Sequence, residues 1–211
     1  MENIDKIFKN IKEMNLPQTD FVNFMDQAKD PFIVLIGCIL SLRTNDKTTY
    51  PATMRMLKLG KIPKDFLNVK AEDLEKAIYP VGFYKNKATQ ILDIARELYE
   101  EHGSKVPNTI EELINFKGVG RKTANLVLAK GFGLPGICVD VHVHRISNRI
   151  GLVKTKTPEE TEYELKRTLP PEYWIDINSL LVTFGQNICK PIKPLCGSCP
   201  ITKYCDFYKS L

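Results

Sequence analysis

"LINFKGVGRKTANLVL" (residues 113–128) is the stretch on which the fold turns. Leu113 and Phe116 on one side, and Thr123-Ala124 with Leu126-Val127 on the other, read as two short amphipathic helical halves joined by Gly118-Val119-Gly120. The glycines permit positive backbone angles and leave amide N–H groups uncovered, so the turn and the start of the second half can receive a phosphate. Val119, between them, is expected to tuck inward and fix the turn.

Outward from this turn the helical period persists. Ile4, Ile7, Phe8 and Ile11 recur at helix spacing, as do Ile91, Ile94 and Leu98 ahead of Gly103. No convincing alternating strand exists. "FIVLIGCILSL" (32–42) follows Asp30-Pro31, a good N-cap and a proline at the first helical position, and reads as a buried central helix. It is too short to span a bilayer and is interrupted by Ser41. Breaks fall at Gly60–Pro63, Pro80–Gly82, Gly103–Pro107, Gly131–Gly136 and Pro170-Pro171, with helices of about ten to fifteen residues fitting between them. The pattern predicts an all-α chain, and "GFGLPG" (131–136) is its most plausible domain boundary. At 211 residues and 43% hydrophobic content the chain can bury one large core or two small ones.

The net charge of +5 is unevenly spread. Lys117, Arg121, Lys122, Lys130, Arg145, Arg149, Lys154 and Lys156 face a single acid, Asp140, within 117–156, so that block carries +7. A solvated face normally mixes signs, and a one-sided block points to a polyanion, most simply nucleic acid.

Four of the six cysteines crowd into "CKPIKPLCGSCPITKYC" (189–205), with gaps of six, two and five residues. Disulfide scaffolds are short secreted chains dense in cysteine, and "MENIDKIFKNIKEM" has no apolar segment of a signal peptide, so a soluble protein in a reducing cytoplasm is expected. Clustered thiols there usually mean metal. The spacing alone leaves zinc and an iron-sulfur cluster both open. Cys38 and Cys138 lie outside the array and read as small buried apolar residues. Lys122 follows the turn at once, and Asp140 stands in "ICVDVHVHRISNRIGL", where it could serve simply as a helix N-cap.

The turn resembles the helix-hairpin-helix motif, a sequence-independent grip on the DNA backbone. "GVGRKTANLVL", "VDVHVHR" and the cysteine array together resemble the endonuclease III family of base-excision DNA glycosylases, over essentially the whole chain. The resemblance implies a six-helix domain over 25–134 that contains the hairpin, and a discontinuous domain of 1–24 with 135–211. It implies a [4Fe-4S] cluster on Cys189, Cys196, Cys199 and Cys205. By motif position Lys122 matches the nucleophilic lysine and Asp140 the catalytic aspartate. The implied partner is double-stranded DNA with an oxidised or otherwise damaged pyrimidine or an abasic site, engaged by a monomer in the cytoplasm, on the nucleoid if the cell is prokaryotic.

The remaining contacts follow from the same resemblance. Gly118, Val119, Gly120 and Arg121 would hold the DNA backbone. A flipped nucleotide leaves a gap in the stack, and the filling segments look like "SLRTND" (41–46) and "VGFYKNK" (81–87), offering Arg43 where glutamine is common and Phe83 where leucine is common. Val141 stands where threonine is frequent. Lys190 and Lys193, stiffened by Pro191 and Pro194, would be presented to phosphate by the cluster loop. Two other readings fit the same residues: a glycosylase specific for thymine or uracil mispaired with guanine, and a non-enzymatic DNA-binding module with a structural zinc.

Overall fold

The computed structural model describes residues 3–211, and among them the regular structure is entirely helical. In chain order the helices are α1 (Ile4–Glu13), α2 (Asp20–Gln27), α3 (Pro31–Ser41), α4 (Asp46–Met56), α5 (Pro63–Phe66), α6 (Ala71–Ile78), α7 (Tyr84–Glu101), α8 (Ile110–Leu113), α9 (Arg121–Leu126), α10 (Val141–Arg149), α11 (Pro158–Thr168), α12 (Ile177–Asn187) and α13 (Asp206–Lys209). Two compact units result. One runs from Thr19 to Gly136; the other joins Ile137–Leu211 to the N-terminal segment through Gln18.

In the Thr19–Gly136 unit α3 is the axis. Asp30 Oδ1 accepts from the amides of Phe32 (2.9 Å) and Ile33 (3.0 Å), and Pro31 opens the helix without wasting a donor. Residues Val34 to Leu40 are all buried, as an all-round apolar helix demands, and α4, α7 and α9 pack around it. Each buried leucine or isoleucine contributes about 1.5–3 kcal/mol of apolar burial, and truncating one, as in Leu35→Ala, costs about 2–5 kcal/mol with its cavity. Phe32 meets Phe66 edge-on at 5.7 Å between ring centroids.

Helix lengths depart from the even spacing expected of the sequence. α7 runs for 18 residues, because Lys87, Ala88, Ile91, Ile94, Ala95 and Leu98 keep one buried stripe going, whereas α5, α8 and α13 have four residues each. The break expected from Gly131 starts only at Gly133, whose φ is +65°. Before it the chain continues from α9 into a π-helical turn, Val127–Phe132. Gly131 sits inside that turn because a Cβ there would come within 2.7 Å of Pro31 Cα, so only glycine lets the turn close on the start of α3.

The other unit has its own core. Ile4, Ile7, Phe8 and Ile11 of α1 lie in one buried cluster with Val143 and Ile146 of α10, Leu165 of α11, and Leu181 and Phe184 of α12. Phe8 packs on Tyr173 at 4.6 Å, the Tyr173 hydroxyl donates to Asp5, and Trp174 Nε1 donates to Leu169 O at 2.8 Å. Among the described residues no helix is long and apolar enough to cross a membrane.

Candidate active site and metal centre

The hairpin is tighter than two helical halves. The first helix ends at Leu113, after Thr109 has capped it by accepting from Glu112 N (3.3 Å), and residues 114–120 form the turn. Two contacts shape that turn: Val119 N donates to Phe116 O at 3.0 Å, and Gln90 Nε2 donates to Lys117 O at 2.7 Å. Leu113, Phe116 and Val119 are buried, so Val119 does tuck inward, while Lys117, Gly118 and Gly120 stay exposed. Only Gly118 needs a positive φ (+77°); Gly120 has φ −101°, and a Cβ added to it would meet nothing within 4 Å. Gly120 is the N-cap of α9 and makes no side-chain bond to the first-turn amides, the arrangement in which a helix start can receive an anion.

Lys122, second residue of α9, is exposed. Cys38, buried on α3, lies close enough for that ammonium to favour its thiolate, yet burial dominates and pushes the Cys38 thiol up to about 12. Cys38 is thus an inert packing residue beside the lysine. In the other unit Asp140 is half-buried and caps α10, Oδ1 accepting from His142 N and Val143 N, both at 2.9 Å. The N-cap reading of this aspartate is therefore realised, with its second oxygen outside those two bonds. From α10, Arg145 Nη2 contacts His142 Nδ1 (3.1 Å) and donates to Cys189 O (2.9 Å).

The cysteines gather beyond α12. Cys189 N donates to Phe184 O (2.9 Å), Cys199 N to Cys196 O (3.1 Å) and Cys205 N to Thr202 O (3.0 Å), and none of the six cysteines forms a disulfide. Arg149 binds this segment through Cys189 Sγ (3.5 Å), Lys190 O (2.7 Å) and Pro191 O (2.9 Å). Burial raises the Cys199 and Cys205 thiols, and the charges of the neighbouring array cysteines push the same way. Four thiols that would repel one another once ionised suit a cationic group that takes them as thiolates, and zinc and an iron-sulfur core both do so.

Arg43 and Phe83 are both exposed, and both adopt left-handed backbone (φ +54° and +58°), which is uncommon for non-glycine residues and tends to mark functional sites. The Arg43 guanidinium carbon stands 5.8 Å from the Phe83 ring centroid, so the two sequence segments meet at their tips. Phe83 is 61% exposed and is no core aromatic. Lys190 and Lys193 are exposed on the cysteine loop. Sequence reasoning misses Lys87, which lies buried with its ammonium on Leu40 O, Leu42 O and Thr44 Oγ1; its signal is a lysine in phase with Ala88, Ile91, Ile94 and Leu98 on the buried stripe of α7.

Residues 36–171 match the family described as the HhH-GPD superfamily of base excision DNA repair proteins, and residues 189–205 match the iron-sulfur binding domain of endonuclease III. The endonuclease III of Thermotoga maritima is 49% identical over 180 residues, covering 85% of this chain and 84% of the relative. A trapped endonuclease III–DNA covalent intermediate superposes with a TM-score of 0.85 at 32% identity, over 99% of this chain and 97% of the other. A thermostable thymine-DNA glycosylase shares the fold, with a TM-score of 0.82 at 24% identity over 98% and 97% of the two chains.

Proposed function

The chain belongs to the endonuclease III family, and from that premise we propose that it excises oxidised or otherwise damaged pyrimidines from duplex DNA and then cuts the strand at the abasic site. It is a base-excision DNA glycosylase and lyase, its partner is DNA, and it carries a [4Fe-4S] cluster. The lesion class, the assignment of individual residues, a monomeric state and a cytoplasmic location, on the nucleoid if the cell is prokaryotic, are parts of our reading. The observation that carries it is the placement of Lys122: an exposed amine at the first turn of α9, directly after an exposed glycine turn whose amides can hold phosphate.

The chemistry suits the residue types. Breaking an N-glycosidic bond builds positive charge on the sugar, which the Asp140 carboxylate stabilises. Lys122 Nζ then bonds to C1′, and the base departs with the electron pair of the old bond and takes up a proton. The sugar ring opens to a protonated imine at C1′. That imine acidifies C2′; loss of its proton expels the 3′ phosphate by β-elimination, and water finally releases Lys122. An ordinary lysine is unprotonated to only about 0.04% at pH 7, so a proton acceptor is needed, and Asp140 is the candidate. Cys189, Cys196, Cys199 and Cys205 would hold the cluster, whose contribution is to fix the loop bearing Lys190 and Lys193. Gly118, Val119, Gly120 and Arg121 would grip the backbone, and Arg43 and Phe83 would fill the gap left by the flipped nucleotide.

Borohydride trapping on duplexes containing thymine glycol, an abasic site or a thymine-guanine mismatch tests the reading. A covalent product on thymine glycol that vanishes in Lys122→Ala supports it. Product on the abasic duplex only removes the base specificity, product on the mismatch only favours the mismatch reading, and no product anywhere removes the lyase.

A further inference from the structure

Lys87 belongs to the first turns of α7 and is only 5% exposed. Its ammonium donates to Leu40 O (2.9 Å), Leu42 O (2.5 Å) and Thr44 Oγ1 (3.2 Å), which uses all three of its N–H groups. All three acceptors are uncharged. A buried cation with only dipoles for company is costly, and burial lowers the Lys87 pKa to about 8. Leu40 and Leu42 lie where α3 ends, so their carbonyls carry the negative end of that helix, which offsets part of the cost.

The acceptors bracket Arg43. Leu42 and Thr44 are its immediate neighbours, and Thr44 Oγ1 also accepts from Gly82 N at 3.2 Å. Thr44 therefore joins the chain beside Arg43 to the chain before Phe83. The approach to Gly82 is close: a Cβ there would stand 3.0 Å from Arg43 O and 3.3 Å from Thr44 Oγ1, so a neighbour would have to give by a few tenths of an ångström. Both tips are held in left-handed backbone, strained for residues other than glycine, and such conformations persist only where the surroundings over-determine them. Lys87, Thr44 and Gly82 are the surroundings that do so.

We propose that Lys87 is a positioning residue: through Leu40, Leu42 and Thr44 it clasps the two surface loops together and holds Arg43 and Phe83 ready to enter the DNA stack. This rests on our reading that those two side chains fill the gap. Side chains that must enter a gap of fixed shape are sensitive to small displacements, and a misplacement of about 1 Å can cost on the order of 10²-fold in rate.

The test uses the full-length, cluster-loaded protein with duplexes carrying 2-aminopurine opposite a tetrahydrofuran abasic analogue, where a wedge that fills the gap unstacks the fluorophore. Thymine glycol excision and affinity for undamaged duplex are measured in parallel. The variants are Lys87→Met, Thr44→Val as a milder cut in the same clasp, and Arg43→Ala with Phe83→Ala as controls on the wedge itself. We expect Lys87→Met and Thr44→Val to lose most of the fluorescence rise and on the order of 10-fold to 10²-fold in excision rate, with undamaged-duplex affinity unchanged. A destabilised but correctly formed site would instead keep the fluorescence amplitude per bound molecule. If Arg43→Ala and Phe83→Ala lose the signal while both clasp variants keep it, the clasp is wrong and the wedge reading stands. If the wedge controls keep the signal, the wedge reading falls and the clasp with it. Should Lys87→Met fail to fold, Thr44→Val alone decides.

Discussion

At the scale of the residue, Asp140 holds two positions at once. It caps α10 through Oδ1, and in our reading it stabilises the charge on the sugar. Asparagine is as good an N-cap as aspartate but lacks the charge, whereas alanine lacks both. Asp140→Asn is therefore expected to melt within a few tenths of a kcal/mol of the parent while base excision falls steeply; Asp140→Ala should lose about 1 kcal/mol of stability as well. Thermal melts beside single-turnover excision separate the two effects, and a large stability loss in Asp140→Asn would count against the cap. Lys122→Ala should bind DNA normally and form no borohydride adduct, and retained trapping would mean another amine is the nucleophile. Lys87 carries a pH signature of its own. Its folded pKa, about 8, lies below the ordinary lysine value, so between that pH and about 10.4 the unfolded chain holds more protons and stability rises with pH. Lys87→Met should remove that rise, which urea unfolding of parent and variant at about pH 7.5 and about pH 10 would reveal. The roles we propose for Lys122 and Asp140 come from their motif positions in the sequence. That of Lys87 is not, because nothing in a linear string shows that three carbonyl and hydroxyl oxygens from residues 40–44 converge on an amine 43 or more positions later.

At the scale of the element, the hairpin shows two glycines with different work. Gly118 has φ +77°, and a Cβ there would stand 2.5 Å from Gln90 Nε2, the donor that holds Lys117 O. Gly118→Ala should lose on the order of 1–3 kcal/mol of stability together with DNA affinity. Gly120 has ordinary backbone and open space around it, so Gly120→Ala should melt like the parent while binding every duplex less tightly, because in our reading the methyl group would stand where phosphate approaches the α9 amides. Melting temperature and affinity for two unrelated duplex sequences check both; loss confined to one sequence would argue against backbone recognition. Of the elements, the long periodic ones are readable in the sequence. Asp30-Pro31 announces α3, and Ile4, Ile7, Phe8 and Ile11 announce α1, since capping and periodicity are local. The four-residue α8 and the π-helical turn are not readable, because tertiary contacts set both: the Gln90 bond to the turn, and the close approach of Gly131 to Pro31.

At the scale of the whole molecule, affinity for undamaged DNA is a matter of counted charges. In our reading the exposed cations of the block over 117–156 and the lysines of the cysteine loop make phosphate contacts, whereas Lys130 is buried and paired with Asp26 at 2.7 Å; each contact adds about −0.9 to the slope of log affinity against log salt. Lys190→Ala with Lys193→Ala should lower the magnitude of that slope by about 2 while leaving the visible absorbance of the cluster intact. Arg149 ties Lys190 O and Pro191 O, and Leu195 N closes the loop on Ile188 O at 2.9 Å, so the loop keeps part of its path without metal; Cys196 and Cys199 follow that closure, and in our reading the cluster holds them. Cys196→Ser should therefore bleach the brown colour and shrink the slope toward that of the double lysine variant, since lysines on a loosened loop no longer meet phosphate in fixed register. The decisive comparison is the two slopes side by side on the same undamaged duplex. If Cys196→Ser loses the colour but keeps the parent slope, the cluster does not present Lys190 and Lys193 to DNA; if the double lysine variant keeps the parent slope, the loop does not touch phosphate.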